Sequence, residues 1–460
     1  MTTGIGPFLG NSQRAGIRRV AILIAIVLTA VPVEAQVSHN GGEFQVNSYT
    51  TNGQVYPAID TNNRGELIVV WHGDGSSGSD TSASSIHAQR FDANGIPLGS
   101  ELQVNTFTTS VQLFPAVATN PQGDFVVVWA SDGSDGTDTS GDSIQGQRFD
   151  AGGLRLGDQF QINSYTTSDQ WRPAADSDAQ GHLVVVWQSR GSGGTDTSYT
   201  SIQSQRFDAD GLPLGGQVQV NTFTTGFQSS PSVSSDPQGN FVVVWRSEGS
   251  DGTDTGSWSI QARRFDVDAV PMGDQFQVNT YTTGNQRYPD VATAPQGGFV
   301  VAWQSLGSGG TDTSSESIQA RRFDVNGIPF AGDMQVNTYT TSIQRNSRVA
   351  IDERGDFVVA WQSLGSGGTD SAGNGILAQR FLADGSPLGG EFQVNSYTTG
   401  DQRYPAVAAD AGGNLSVTWQ SYPSGGLDTS SYSIQAQRFD DLFRDGCESG
   451  DTTRWSLSVP

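Results

Sequence analysis

Short apolar runs alternate with glycine-rich polar loops along a segment near position 115. Residues 115–118 (Pro-Ala-Val-Ala) predict a short first strand, and a Pro-Gln-Gly turn leads to residues 125–129, which are apolar on both faces. That pattern is typical of a strand buried between two layers. Residues 143–149 predict a third strand. Residues 160–163 alternate apolar and polar, which predicts an outer strand with one face in water.

The same unit recurs seven times at a spacing of 58 residues, without insertions. The spacing is clearest from the tryptophan that ends each second strand: Trp71, Trp129, Trp187, Trp245, Trp303, Trp361 and Trp419. No part of the unit has a helical period. Four short strands repeated seven times predict an all-β fold, a seven-bladed β-propeller of four-stranded blades.

The two ends of the repeat array are complementary. It begins at residues 43–47, a fourth strand without the preceding three, and ends at residues 434–439, a third strand without a fourth. An open β-solenoid would leave both sheet edges exposed. We therefore predict a propeller over residues 43–440, a monomeric ring whose seventh blade is closed by the N-terminal strand.

The segments outside the array predict export. Arg14, Arg18 and Arg19 precede an apolar run at residues 20–31, and small residues follow at 33 and 35. This is the pattern of a secretory signal peptide, which we place at residues 1–35, and an uncleaved membrane anchor is the alternative. Residues 36–42 form a short N-terminal segment and 441–460 a tail. The sequence thus predicts a secreted or outer-surface protein with no membrane span after signal removal.

Composition excludes several classes of function. The net charge is −23 and all 24 basic residues are arginine, so phosphate backbones would be repelled and nucleic acid is not an expected partner. The single cysteine, Cys447, has no partner for an intrachain disulfide, and the chain has only four histidines. Cysteine-based metal sites are excluded, and zinc or Ser-His-Asp chemistry is poorly supplied.

Residues present in every unit are most simply explained by what every blade needs. An arginine precedes the phenylalanine of each third strand (Arg90 and its equivalents), and each long loop has an invariant aspartate (Asp80 and its equivalents). A charge on a packed strand needs a partner. The aspartates are candidate partners for these arginines, and an Asx turn in their own loop is the alternative.

The link from each outer strand to the next blade offers a candidate ligand site. Every link contains an invariant glutamine followed by two variable residues, and in a propeller it approaches the central channel. Aromatic and arginine side chains beside a ring of amides suit a polar ligand such as a glycan. The candidate ligand-binding residues are Gln112, Gln170, Trp171, Arg172, Gln286, Arg287, Tyr288, Gln402, Arg403 and Tyr404.

One alternative remains open for this region. The glutamines could instead bond the backbone of the links, with the variable pairs as ordinary surface. Trp258 and Tyr432, which share one repeat position in different units, are expected to add exposed aromatic side chains on one rim.

The loop between the second and third strands of the second unit is rich in carboxylates. Asp132, Asp135, Asp138 and Asp142 could supply oxygen ligands for Ca²⁺, the one cofactor that the sequence suggests. Their spacing differs from that of an EF-hand. A flexible polar loop is the alternative interpretation.

The sequence of the unit resembles repeats in secreted and surface-attached bacterial proteins with propeller domains. The resemblance rests on Gly-Asp-Phe-Val-Val-Val-Trp, Ile-Gln-Gly-Gln-Arg-Phe-Asp and Phe-Gln-Val-Asn, and it covers residues 43–440. It implies an extracellular location and often a large adhesive or binding protein, and it carries over no catalytic residue. The tail around Cys447 and Trp455 resembles an ending found on some exported bacterial proteins.

We therefore expect a non-enzymatic extracellular binding or adhesion module that recognises a glycan or protein at one face of the ring. A structural scaffold of the cell envelope is one alternative. A propeller-type glycosidase or lyase is another, and it would need two carboxylates or a His/Tyr pair unique to certain blades near the channel. Near-identical units argue against such a specialised site. Asp290 is one departure from the repeat pattern.

Overall fold

The computed structural model describes residues 38–39 and 41–440, apart from short loop gaps at 77, 81–82, 135, 192–193, 251, 256, 309, 313–314, 366–368, 371–372, 424–425, 427 and 429–430. Throughout that part of the chain the fold is all-β. Seven four-stranded antiparallel sheets form a ring, so the predicted seven-bladed β-propeller is confirmed. None of the described residues forms a helix that could cross a membrane.

The four strand positions of a blade are called inner, second, third and outer, starting from the channel. The inner strands of blades 1 to 7 are Gln54–Thr61, Gln112–Thr119, Gln170–Ser177, Gln228–Ser235, Gln286–Thr293, Gln344–Ile351 and Asp401–Ala409. The second strands are Leu67–Asp74, Phe125–Asp132, Leu183–Arg190, Phe241–Glu248, Phe299–Leu306, Phe357–Leu364 and Leu415–Tyr422. The third strands are Ser84–Phe91, Asp142–Phe149, Thr200–Phe207, Trp258–Phe265, Glu316–Phe323, Asn374–Phe381 and Ser433–Asp440.

The outer strands are short, because only one or two residue pairs hold most of them to the third strand. Those of blades 1 to 6 are Leu102–Gln103, Phe160–Gln161, Pro213–Gln219, Phe276–Gln277, Met334–Gln335 and Pro387–Gln393. Blade 7 takes its outer strand from the other end of the chain, Phe44–Gln45, and Ser38–His39 adds a further pairing to the same third strand.

The core lies between neighbouring blades. All seven repeat tryptophans are fully buried, and each packs against apolar residues of its own and the preceding blade. In blades 1 to 6 the indole nitrogen donates a hydrogen bond to the invariant glutamine of the inner strand, at 3.0–3.3 Å. A second strand that is apolar on both faces is therefore required, because neither face meets water.

Five of the seven repeat arginines donate hydrogen bonds to backbone carbonyls of the next blade: Arg90, Arg148, Arg264, Arg322 and Arg438. Arg90 donates to Gly152 O at 2.7 Å and to Ala151 O, both in the third-to-outer turn of blade 2. Arg438 of blade 7 donates in the same way to Asp92 O of blade 1, at 3.1 Å. Partial burial lowers the pKa of Arg438, although guanidinium remains charged. In the contacts that the structure describes, the partners of these five arginines are carbonyls rather than the loop aspartates proposed as candidates.

The loop aspartates instead bind the asparagine that ends the outer strand of their own blade. In the first six blades the asparagine amide donates to the aspartate at 2.7–3.0 Å, as from Asn105 to Asp80. The seventh pair, Asn47 to Asp428 at 3.2 Å, joins residues 381 positions apart. Gln45 and Asn47 also accept the backbone N–H groups of Asp428 and Ile434. These bonds confirm closure of the seventh blade by the N-terminal strand.

Every inner strand contains a β-bulge near its start. In blade 1 the register shifts between Val55 and Ala58, and the other six strands shift at the equivalent place. The bulged residue has a positive φ of 50–55° although it is never glycine: Tyr56, Phe114, Arg172, Ser230, Tyr288, Asn346 and Tyr404. A bulge re-aims the side chain that it carries. The seven re-aimed side chains converge at one mouth of the channel.

The expected signal peptide (1–35) and the tail (441–460, with Cys447) lie outside the described residues. Of the short segment at 36–42, Ser38 and His39 pair with Asp440 and Phe439. Export and the boundaries of these terminal segments stay predictions.

Candidate functional site

The seven bulged residues surround a cavity of about 450 Å³ at one mouth of the channel. Proline follows every bulged residue except Asn346, and these six prolines line the cavity together with small residues of the inner strands. The charged side chains of the lining are Arg172, Arg287, Arg345, Arg348, Asp290 and Glu316. The cavity thus carries more arginine than carboxylate in a chain whose net charge is −23. An anion would be attracted to this mouth.

The structure brings together four of the predicted ligand-binding residues. Arg172, Arg287, Tyr288 and Tyr404 all line the cavity. Trp171 instead packs against the core between blades 2 and 3. Arg403 lies outside the lining and forms an ion pair with Asp401 at 2.7 Å.

The predicted glutamines Gln112, Gln170, Gln286 and Gln402 are fully buried behind the cavity wall. Their side-chain nitrogens donate to a threonine carbonyl of the preceding link, at 3.1–3.4 Å. In the first three the amide oxygen accepts the tryptophan N–H. These amides therefore fasten each link to its blade and present no exposed atom to a ligand.

Three tyrosines line the cavity, Tyr56, Tyr288 and Tyr404, from blades 1, 5 and 7. The rings of Tyr56 and Tyr404 are 4.5 Å apart between centroids, and burial together with the hydrogen bond to Tyr404 raises the pKa of Tyr56 to about 12. Tyr56 therefore keeps its proton at neutral pH. The Arg172 guanidinium lies 5.2 Å from the ring of Phe114, a cation–π distance.

His72 lies directly behind Tyr56. Their rings stack at 5.2 Å, and Phe114 N–H approaches the Nδ1 atom of His72 at 3.4 Å. Burial lowers the pKa of His72 to about 4, so the imidazole is neutral at pH 7. The equivalent position in the other blades holds Ala, Gln or Arg. The channel mouth thus has a His/Tyr pair found in one blade only.

On the other side of the mouth, Arg246 lies between two aromatic rings. Its guanidinium carbon is 5.0 Å from the ring of Tyr288 and 4.6 Å from the ring of Trp258. Its Nε atom donates to Ser229 Oγ at 2.7 Å. Burial lowers the pKa of Arg246, and the adjacent Tyr288 counters that effect. Arg246 therefore holds a positive charge close to the Tyr288 hydroxyl.

Two arginines of the lining present unsatisfied donors. The Nε atoms of Arg287 and Arg345 are buried and have no hydrogen-bond partner among the described residues. A buried donor without a partner is unfavourable unless a ligand supplies the acceptor. Asp290, in contrast, accepts hydrogen bonds from Ser232 Oγ at 2.8 Å and from Val349 N at 2.9 Å.

The opposite mouth of the channel is acidic. Its lining contains seven carboxylates and no basic residue: Asp60, Asp176, Asp178, Asp236, Asp352, Glu353 and Asp410. Burial and the nearby charge of Asp176 raise the pKa of Asp60 to about 7. Burial also raises the pKa of Asp176, to about 6. The two mouths therefore differ in the sign of their charge.

The predicted calcium ligands are only partly described. Asp138 is buried and binds Asn163 at 2.7 Å. Asp132 and Asp142 are paired across neighbouring strands, and burial with nearby carboxylates raises the pKa of Asp142 to about 6. Asp135 lies outside the described residues. Within the described part of the chain no group of three or more ligating side chains is placed to hold a metal, and calcium stays a prediction.

Sequence reasoning missed His72 and Arg246. Both follow the repeat tryptophan, at a position that holds glutamine in four blades and alanine in one, and both contact tyrosines of the mouth. Comparing the seven units position by position would have singled them out. The variable pairs were recognised because they interrupt an otherwise invariant link.

Comparisons with known proteins identify the fold but no family. No protein-family model and no curated protein matches the chain. Among solved structures, a polysaccharide lyase of family PL25, an ulvan lyase bound to -[GlcA(1-4)Rha3S]-, aligns with a TM-score of 0.51 and 10% identity over 85% of this chain and 95% of the lyase. A protein of unknown function from Dyadobacter fermentans aligns with a TM-score of 0.50 and 10% identity, over 88% and 98%.

An α-L-arabinanase from Penicillium chrysogenum in complex with arabinobiose aligns with a TM-score of 0.47 and 13% identity, over 87% of this chain and 98% of that one. At these identities the likeness is one of fold. The repeat type that the sequence resembles is not confirmed by any family match and stays a prediction.

These neighbours correct our expectation of a non-enzymatic binding or adhesion module, which is wrong. The polysaccharide lyase, with a TM-score of 0.51, has the same ring fold, so this fold does not exclude an enzyme. The physical error lay in treating near-identical blades as evidence against a specialised site. The units differ at the bulged residue and at the residue after the tryptophan, and the fold gathers both positions at one mouth. There they supply the His/Tyr pair whose absence was assumed.

Proposed function

We propose that the chain is a polysaccharide lyase that cleaves an acidic polysaccharide in the arginine- and tyrosine-lined cavity. The observation that carries the proposal is the excess of arginine in this cavity within a chain of net charge −23. Arginine recognises carboxylate and sulfate groups through paired hydrogen bonds. A uronate-containing chain, bearing a carboxylate on every acidic sugar, fits this requirement.

In β-elimination a base removes the proton from C5 of the uronate, the C–H electron pair forms the C4–C5 double bond, and the C4–O bond breaks. The departing oxygen takes a proton from an acid. Neutralising the carboxylate makes the C5 proton easier to remove, because the negative charge that develops next to it is stabilised. Arg172, Arg287 and Arg345 are the residues that we assign to this role.

Two tyrosines are assigned to the proton transfers. Tyr56, whose pKa is raised to about 12, holds its proton at working pH and is the candidate acid. Tyr288 is the candidate base: it takes the C5 proton as a phenolate, after giving its own proton to solvent, and the Arg246 guanidinium beside its ring favours that phenolate. His72 is neutral and supports the ring of Tyr56 from behind.

The test is the ultraviolet absorbance of the unsaturated product when the protein is incubated with hyaluronan, alginate, pectate and ulvan. We expect absorbance to rise with at least one of them, and Tyr288→Phe to lower the rate about 100-fold or more, as for loss of an acid–base group. Phe114 occupies the same bulge as a tyrosine does elsewhere, so Tyr288→Phe suits the local backbone. Tyr165→Phe is the matched control, because other links have Phe there, and it should leave the rate unchanged.

Hydrolysis is the second candidate reaction, favoured by the presence of two carboxylates, Asp290 and Glu316, in the same lining. A glycosidase uses such a pair. New reducing ends without ultraviolet absorbance, lost in Asp290→Asn and kept in Tyr288→Phe, would replace the lyase proposal with this one. No cleavage of any of the four polymers would contradict both.

A further inference from the structure

An aromatic track leads outward from the cavity along one face of blades 3 and 4. It is made of Tyr288, Arg246, Trp258, Phe227 and Tyr199, in that order from the cavity. The Phe227 ring centroid lies 6.4 Å from that of Trp258 and 4.6 Å from that of Tyr199. The rings of Phe227 and Tyr199 are stacked, with 28° between their planes. With the two Arg246 contacts, successive members are 4.6–6.4 Å apart. The track is therefore continuous with the cavity.

The outer end of this track is an open trough of about 640 Å³. Its lining combines Tyr199, Phe227 and Trp258 with polar side chains, among them Glu248 and Asn285. Tyr199 is 57% exposed and Phe227 39% exposed, although both are large and apolar. Exposed aromatic rings next to hydrogen-bonding groups are suited to sugar rings, which stack on the aromatic face and bond through their hydroxyls.

Two aromatic side chains of the trough, Tyr199 and Phe227, are exceptions within the repeat. The position of Tyr199 holds Ala, Gly or Ser in every other unit, and the position of Phe227 holds no aromatic residue elsewhere. The blade framework is the same without them, so the fold does not require these rings. Their only packing partners among the described aromatic residues are one another and Trp258.

We propose that the trough is a remote binding subsite for the same polysaccharide chain, holding sugars several units away from the bond that is cleaved. The inference rests on the proposed function. The occupant is an extended saccharide chain, because Arg246 joins trough to cavity and one ligand can follow both. The polymer would then be preferred over short oligosaccharides.

The test compares track variants that introduce the residues of other blades. Tyr199→Ser copies Ser257, and Phe227→Asn copies Asn285, so both suit the local backbone. Leu212→Ser is the matched control, because Leu212 is a 63% exposed apolar residue outside the track and blade 6 has Ser386 at that position. Binding is measured by retardation of the protein in native gels containing each of the four polymers, and cleavage is measured on polymer and on its tetrasaccharide.

We expect the double variant to bind the retarding polymer about tenfold more weakly, as for loss of two stacking contacts, with the control unchanged. KM for the polymer should rise and KM for the tetrasaccharide should stay the same. Unchanged retardation, or an equal loss in Leu212→Ser, would overturn the subsite. If the track variants weaken retardation but no polymer is cleaved, the subsite is supported and the lyase proposal is contradicted. If a polymer is cleaved but the track variants bind it as well as the unchanged protein does, the lyase proposal is supported and the subsite is contradicted.

Discussion

The seven bulged residues share a backbone conformation that side chains other than glycine avoid. A left-handed conformation costs an ordinary L-residue about 1–2 kcal/mol. The protein accepts this cost seven times, at the positions whose side chains line the cavity. Strain of this kind persists where the surrounding structure holds the backbone in place. Here the inner strand and the buried glutamine on either side of the bulge do so.

Ser230 allows the strain to be measured, because its small side chain makes few contacts. Its φ is 53° and its buried hydroxyl has no hydrogen-bond partner among the described residues. We expect Ser230→Gly to stabilise the protein by about 1 kcal/mol, after allowing for the greater freedom of glycine in the unfolded chain. Urea unfolding measures the difference. Ser235→Gly, later in the same strand and without a positive φ, is the control and should destabilise; a loss of stability in both variants would contradict the strain argument.

At the scale of single residues, sequence could reach only part of the site. The variable pairs were visible as interruptions of an invariant link, and Arg172, Arg287, Tyr288 and Tyr404 were identified that way. The glutamines were placed beside the ligand because invariance was visible and burial was not. His72 and Arg246 were missed since nothing in one unit shows that the residue after the tryptophan faces the channel mouth.

At the scale of the element, the inner strands carry different charges at their two ends. Each begins at the arginine- and tyrosine-lined cavity and ends at the acidic mouth. In blades 1 and 3 the acidic end includes a half-buried carboxylate, Asp60 or Asp176, which accepts a backbone N–H of the next blade. In blade 4 the Ser234 hydroxyl accepts an N–H of the next blade in the same way. A neutral side chain can therefore hold adjacent inner strands together.

The serine of blade 4 at the position of Asp60 suggests a test of how stability depends on pH. The pKa of Asp60 is raised from 3.8 to about 7, so the folded protein binds the proton more tightly than the unfolded chain. The contribution of Asp60 to the free energy of unfolding is therefore complete below pH 4 and is lost as pH rises to about 7. Between pH 4 and 7 the free energy of unfolding should therefore fall by about 2 kcal/mol less in Asp60→Ser than in the unchanged protein.

The measurement is urea unfolding at several pH values between 4 and 8. Asp268→Ser removes one charge from an exposed turn and serves as the control. If the slope is the same in all three proteins, Asp60 is not a buried proton-binding group. The pKa of Asp176 is raised to about 6, so the free energy of unfolding of Asp60→Ser should still decline with pH, but less steeply.

Element boundaries were less accessible from sequence than element order. All four strands of the unit were anticipated, but the inner strand begins at Gln112 rather than Pro115, because a bulge lets the link residues pair with the second strand. The outer strand was expected at 160–163, and only Phe160–Gln161 pair as strand. Its asparagine leaves the ladder to bind the loop aspartate. A side chain that satisfies the backbone in place of a strand partner leaves no trace in hydrophobic periodicity.

At the scale of the whole molecule, closure of the ring was the most predictable feature, because it follows from the phase of the repeat. The seam uses the same asparagine contacts as the other blades. Asn47 accepts from Ile434 N–H at 2.8 Å and donates to Tyr49 O at 2.9 Å, as Asn221 does with its own neighbours. In these asparagine contacts the seventh blade matches the others although its outer strand comes from the other end of the chain.

This equivalence predicts the cost of opening the seam. Asn47→Ala leaves buried polar groups without partners and should destabilise by about 2 kcal/mol, close to the effect of Asn221→Ala inside blade 3. Urea unfolding of both variants checks the match. An Asn47→Ala protein as stable as the unchanged one would mean that residues 43–47 do not close the ring in solution.

The seam also determines when the molecule can be finished. Ile434 and Asn47 are 387 positions apart, so the N-terminal strand is synthesised first and pairs last. Six blades have been made by then, each with its neighbour already beside it. Throughout synthesis Phe44–Gln45 has no partner strand, because Ser433–Asp440, to which it pairs, is made last. The shape of the cavity, which needs all seven inner strands around it, therefore comes into being in a single final step.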